Sequence, residues 1–159
     1  MRLMIAVIML IWTLSVAAVS AQQNAQASQQ KGADETERQD QTVQEAIRAA
    51  QKATESWLSL VDAGKFAEAW DQSSEGLKAI VTKEQLVGSL KIARNSMGSL
   101  LKRKVNSAGY TTTLNNAPTG EYVVLKYDCS FENKEKALET VVPTLDKDGK
   151  WRVSGYFVK

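Results

Sequence analysis

Histidine is absent from this chain, cysteine occurs once, at Cys129, and proline twice. Without histidine there is no His-based catalytic triad, and the commonest general base near neutral pH is missing. A single cysteine excludes an intrachain disulfide framework and a Cys/His zinc cage. No metal and no cofactor is expected. An excess of one charge is also lacking. Twenty Lys and Arg stand against eighteen Asp and Glu, a net charge of +2, too small to mark a nucleic-acid binder. No internal repeat is visible. A chain of 159 residues accommodates one domain plus short extras.

What is present divides the chain into three. Arg2 precedes an apolar run, Leu3 to Val19, broken only by Thr13 and Ser15, and small residues follow at Val19-Ser20-Ala21. This is the pattern of a secretory signal peptide, with cleavage expected after Ala21. The rival is a retained membrane anchor. A helix of that length rises roughly 25 Å, short of the roughly 30 Å hydrocarbon core. Cleavage would leave no stable membrane anchor, and no cysteine follows it to carry a lipid. Residues 22–41, QQNAQASQQKGADETERQDQ, hold no apolar side chain larger than alanine. Such composition predicts a disordered linker, either a spacer or a solvated N-terminus. Residues 42–159 read as a single α+β domain.

In that domain Val43, Ile47, Ala50, Thr54, Trp57, Leu58 and Val61 form one helical stripe, and Gly64 is a plausible stop. A short second helix carries Phe66, Ala69 and Trp70, broken by Asp71 to Gly76. Thr82 and Gln85 form a capping-box pair that opens a third helix bearing Leu86, Leu90, Ala93 and Met97, with Gly98 at its end. The period then changes to two. Strands are predicted over Lys102–Leu114, around Val123–Phe131, over Lys136–Val142 and from Trp151. Pro143 marks an end or a bulge, and Asp146 to Gly149 a hairpin turn. In the last strand Trp151, Val153, Gly155 and Phe157 are expected on one face, with Arg152, Ser154, Tyr156 and Val158 on the other. Helices followed by hairpin-linked strands predict N-terminal helices packed on a four-stranded antiparallel meander.

Three stretches carry a family resemblance: SWLSLVDAGKFAEAWD (Ser56 to Asp71), TTTLNNAPTGEYVVLKYDCSFENK (Thr111 to Lys134) and ETVVPTLDKDGKWRVSGYFVK (Glu139 to Lys159). They resemble the domain of unknown function family 4019. That resemblance implies a small exported protein, periplasmic in a Gram-negative bacterium, and implies no activity. The order of helices and strands, ending in Gly-x-Trp-x-Val, also resembles the nuclear transport factor 2-like cone, which implies a curved sheet wrapping a long helix around a pocket. Such cones serve enzymes, binding modules and assembly subunits alike.

Two readings of the function follow. A small pocket enzyme of the isomerase or lyase type would use an aspartate, from Asp62, Asp71 or Asp128, with a tyrosine donor in an apolar pocket. Each of these acids also reads as a solvated charge. A non-catalytic binding or interaction module would use the aromatic rings. Trp57, Trp151 and Tyr127 fit the core. Trp70, Tyr110, Tyr156 and Asp71 are the candidate ligand- or partner-binding residues. Tyr122, Val124, Tyr156 and Val158 form a candidate apolar patch on the outer sheet face, a possible homodimer contact. Cys129 reads as a buried, inert thiol. Asp146 and Asp148 lack the later bidentate glutamate of a calcium loop. Lys102 to Lys104 reads as solvated strand. The preferred reading is an exported, non-enzymatic domain that binds a small ligand or an envelope protein. The discriminating observation is whether one of the three aspartates faces a closed apolar cavity with a tyrosine in reach.

Overall fold

The computed structural model describes residues 15–159, with side chains from Glu35 onward. Residues 1–14, most of the expected signal segment, lie outside the described residues. Among those described, no helix is long and apolar enough to cross a membrane. The chain divides into two units, Met1–Thr42 and Val43–Lys159. In the first, the described backbone is helical from Ser15, residues 22–41 included, and the side chains of 35–42 are exposed. Alanine and glutamine favour helix locally, but no packed face accompanies it over those side chains.

In the second unit, helix α1 (Ser15–Asp62) buries Ala50, Thr54, Trp57, Leu58 and Val61. These positions recur at the three- and four-residue spacing of one helical face. Gly64, at φ +72°, turns the chain out of the helix, and Lys65 N–H closes on Leu60 O at 2.8 Å. Helix α2 (Phe66–Asp71) follows. Helix α3 (Glu75–Ile80) is an addition to the sequence reading. Ser74 caps it by accepting from Leu77 N–H, so the helix opens near the end of the Asp71 to Gly76 breaker and runs on past it. Helix α4 (Lys83–Asn95) opens with the expected capping box. Thr82 Oγ1 accepts from Gln85 N–H, and Gln85 Oε1 accepts from Thr82 N–H at 2.9 Å.

Strands β1 (Leu100–Thr111), β2 (Tyr122–Phe131), β3 (Lys134–Leu145) and β4 (Trp151–Val158) form one antiparallel sheet in the order β1-β2-β3-β4. The fold is therefore α+β, helices first and then an open meander. Val123, Leu125, Tyr127, Cys129 and Phe131 of β2 are all buried, as their alternation predicts, with Ala137 and Val141 of β3 and Val153 of β4 in the same core.

One face assignment is corrected. Of the two expectations for Pro143 the bulge holds, since β3 runs on to Leu145 and the ladder with β4 shifts at Val142/Pro143. Val142 pairs with Gly155 and Pro143 with Val153, so Ser154 is an extra residue on β4. A bulge of this kind inverts the in-and-out alternation beyond it. Val153 and Tyr156 both turn inward, and Phe157 turns to solvent, 67% exposed. Tyr156 thus leaves the outer face on which Val124 lies, and the expected outer patch of four apolar residues does not share one face.

Candidate functional site

Beneath the last turns of α1 and α4, four charged side chains close a ring. Arg94, in the last turn of α4, reaches Glu139 of β3 with Nη1 at 2.7 Å and Asp62, the last residue of α1, with Nη2. Arg103 of β1 reaches the same two carboxylates, Glu139 through Nε at 2.6 Å and Asp62 through Nη1 at 2.6 Å and Nη2 at 3.0 Å. Two guanidinium groups meet two carboxylates, so the ring is neutral. Glu139 has no solvent exposure and Arg94 only 7%.

Strand pairing explains the assembly. Arg103 stands opposite Cys129, and Glu139 opposite Tyr127 and Val158. These positions lie on the helix-covered face. The Ser154 bulge adds Tyr156, which donates its phenol to Glu139 at 2.7 Å. Cys129 donates its thiol to Glu139 at 3.1 Å. Glu139 therefore accepts from four side chains. Burial pushes its carboxyl up, but the Arg103 guanidinium and the Tyr156 phenol outweigh burial and hold it below the ordinary carboxylate range. Burial, and then the Glu139 charge, push the Cys129 thiol up to about 12. The same two causes raise the Tyr156 phenol. The ring holds no free base, and Cys129 is the inert thiol that its sequence setting predicts.

Tyr156 joins this ring to a cavity. A groove of about 410 Å³ runs between β4 and the helices α3 and α4. Trp57, Leu77, Ile80, Val81, Leu86, Ser89, Leu90, Ala93 and residues 153–158 line it, and none of these carries a charge. Its size lies in the range of small-ligand sites, about 300–1,000 Å³. A hollow of about 490 Å³ beside Asp62 and Arg103 is larger but more open, with Glu55 also on its wall. The less open, uncharged groove is the better candidate.

The four residues singled out from sequence do not converge. Tyr156 lines the groove. Trp70 donates its indole N–H to Val81 O at 3.0 Å, and Lys83 lies 5.1 Å from the centre of its ring. Asp71 pairs with that same Lys83 at 2.5 Å. These contacts tie α2 to the start of α4, beside the groove rather than in its lining. Tyr110 bonds Glu121 at 3.0 Å near the far end of β1. Asp62, Asp71 and Asp128 are all absent from the groove lining.

Arg94, Arg103 and Glu139 were not singled out in the sequence, yet two of them left a signal. Arg94 falls four residues after Leu90 and three before Met97, on the apolar stripe of α4. Glu139 falls between Ala137 and Val141 at the inward-facing period of β3. A charge at a core position is a charge that needs a partner.

Residues 53–156 match the family described as "Protein of unknown function (DUF4019)". The chain belongs to this family. The matched span contains the whole ion ring and nearly all of the groove, so both are features of the DUF4019 domain in this chain. No curated protein and no solved structure matches the chain, and the nuclear transport factor 2-like cone is therefore not among the matches.

Proposed function

We propose that this DUF4019 domain is a non-catalytic binding module of the bacterial cell envelope, which takes an uncharged, largely apolar ligand in the groove beside β4. The observation that carries the reading is the groove's lining, without a charge in a chain of which 24% is charged. An isomerase- or lyase-like reading needs an acid facing the groove, and none of the three candidate aspartates does so. The ion ring supports a binding role by fixing Tyr156, one wall of the groove, against Glu139 and Arg94.

Export follows from the N-terminal pattern, with the mature protein beginning at Gln22 and residues 22–41 acting as an unpacked extension. Intact mass of the exported product tests the first point, since a full-length mass in the membrane fraction contradicts cleavage. Brief proteolysis tests the second and should leave a core beginning near Thr42.

The ligand reading is tested with Nile red, a neutral apolar dye whose emission rises in apolar surroundings. The folded protein should capture it. Ser89→Trp, an exposed position on the groove wall, should fill the groove and abolish capture without unfolding the domain. Equal capture by both proteins overturns the assignment of the groove.

A further inference from the structure

The edge of β4 that borders the groove is an open hydrogen-bonding template. Leu138 and Lys159 exchange both of their backbone bonds, at 2.9 and 3.2 Å. In an antiparallel ladder such pairs alternate with pairs whose peptide groups point the other way. Val158 opposite Glu139 and Tyr156 opposite Val141 are of the second kind. The N–H and C=O groups of Tyr156 and Val158 thus point away from β3, and none has a backbone or side-chain partner among the described residues. Farther along the same edge the chain already uses one such group, where Ser74 N–H donates to Val153 O at 2.9 Å.

The cavity lies at this edge rather than over one sheet face, because Tyr156, which points inward, and Phe157, which points outward, both line it. Leu86 and Leu90 of α4 form the opposite wall. The other free edge of the sheet differs. β1 is broken by register shifts at Leu101 and Asn106 and carries exposed Lys102 and Lys104, features that discourage strand pairing. β4 from Gly155 to Val158 has neither.

We propose that the occupant of the groove is an extended, uncharged, apolar segment of another polypeptide, which adds to β4 as a short fifth strand. This inference rests on the groove being the binding site. Backbone bonds to Tyr156 and Val158 give the segment its direction, and the uncharged walls select its side chains. A second copy of the domain fits poorly, because its own β4 edge carries an α4 helix beside it, which would have to enter the same space. A lone segment needs only the width of one strand, about 4.8 Å from β4.

The test uses the folded protein, Nile red and the peptide acetyl-Thr-Val-Thr-Val-Thr-amide. Two further peptides carry backbone N-methyl groups, one at both valines and one at the three threonines. The peptide should displace the dye and slow amide exchange at Tyr156 and Val158. One N-methylated isomer should bind at least tenfold more weakly and the other about as well as the parent, because only one edge of the segment meets β4. Equal binding of both isomers without amide protection overturns strand addition and leaves the groove as a ligand site. Failure of both dye and peptide to bind overturns the groove reading and this inference together. Protection without dye capture supports strand addition and removes the small-ligand reading. Protection that rises with protein concentration in the absence of peptide identifies a second copy as occupant and overturns the proposal.

Discussion

The rings of Trp57 and Tyr156 lie 5.4 Å apart between centroids, tilted by 50°. Trp57 anchors on the other side by donating its indole N–H to Ala69 O at 2.8 Å and to Ser73 Oγ at 3.1 Å. One aromatic pair therefore connects α1, the α2–α3 turn and the edge strand that borders the groove. An aromatic pair adds about 0.5–1.5 kcal/mol to what burial alone contributes.

Replacing Trp57 with alanine removes that connection and leaves a large cavity. The expected loss is about 3–5 kcal/mol, a large share of the roughly 5–15 kcal/mol available to such a domain. Urea denaturation of the purified variant measures it. A midpoint close to wild type would show that the inward face of α1 is wrongly placed.

Glu139→Gln breaks the ion ring and leaves the two guanidinium groups of Arg94 and Arg103 to share Asp62 alone, at an expected cost of about 3–5 kcal/mol at neutral pH. Acid should act on wild type through the same group. Its folded carboxyl titrates below the ordinary value, so its contribution is complete above the unfolded pKa of about 4.3 and is lost as pH falls through the lower folded value. Thermal melts from pH 7 to pH 3 should show a steeper acid decline in wild type than in the variant. Parallel curves would assign the acid sensitivity to other groups.

Two tyrosine hydroxyls should respond in opposite directions to removal. Tyr156→Phe deletes a donor to a buried carboxylate, with an expected cost of about 1.5–3 kcal/mol. Tyr127 Oη is buried with no hydrogen-bond partner among the described residues. Tyr127→Phe should therefore be neutral or stabilising by up to about 1 kcal/mol. Chemical denaturation of the two variants side by side decides, and a clear loss of stability in Tyr127→Phe contradicts the unpartnered hydroxyl.

With its pKa raised to about 12, the Cys129 thiol should resist alkylation by iodoacetamide at pH 8 in the folded protein and react promptly in urea. Labelling followed by intact mass reads the difference. Rapid labelling without denaturant contradicts the burial of this strand face.

Much of the frame is written in local chemistry. The reciprocal Thr82–Gln85 bonds, the stop at Gly64 and the stripe through Trp57 depend on residues a few positions apart, and the fold places them as their spacing predicts. The ring of Asp62, Arg94, Arg103 and Glu139 depends on sequence separations of 32 to 45 residues. No one-dimensional pattern pairs those signs. Asp62 in particular sits on the polar flank of its helix and acquires its partners from α4 and β1. The groove is illegible for another reason. Its inner wall depends on the single extra residue at Ser154, and period-two reading carried through that point puts Tyr156 on the wrong side.

That extra residue gives the two halves of β4 opposite parity. Deleting Ser154 would remove the bulge, yet regular alternation from Val153 would still bring Tyr156 inward and leave Phe157 in solvent. The strand would lose little beyond the bond from the Ser154 hydroxyl to Val142 O. The protein's tolerance of length is therefore uneven along the strand. A residue gained after Gly155 would put Phe157 against Trp57 and turn to water the phenol that holds Glu139. Soluble yield of the two variants should separate sharply, with the Ser154 deletion accumulating and the insertion failing to do so.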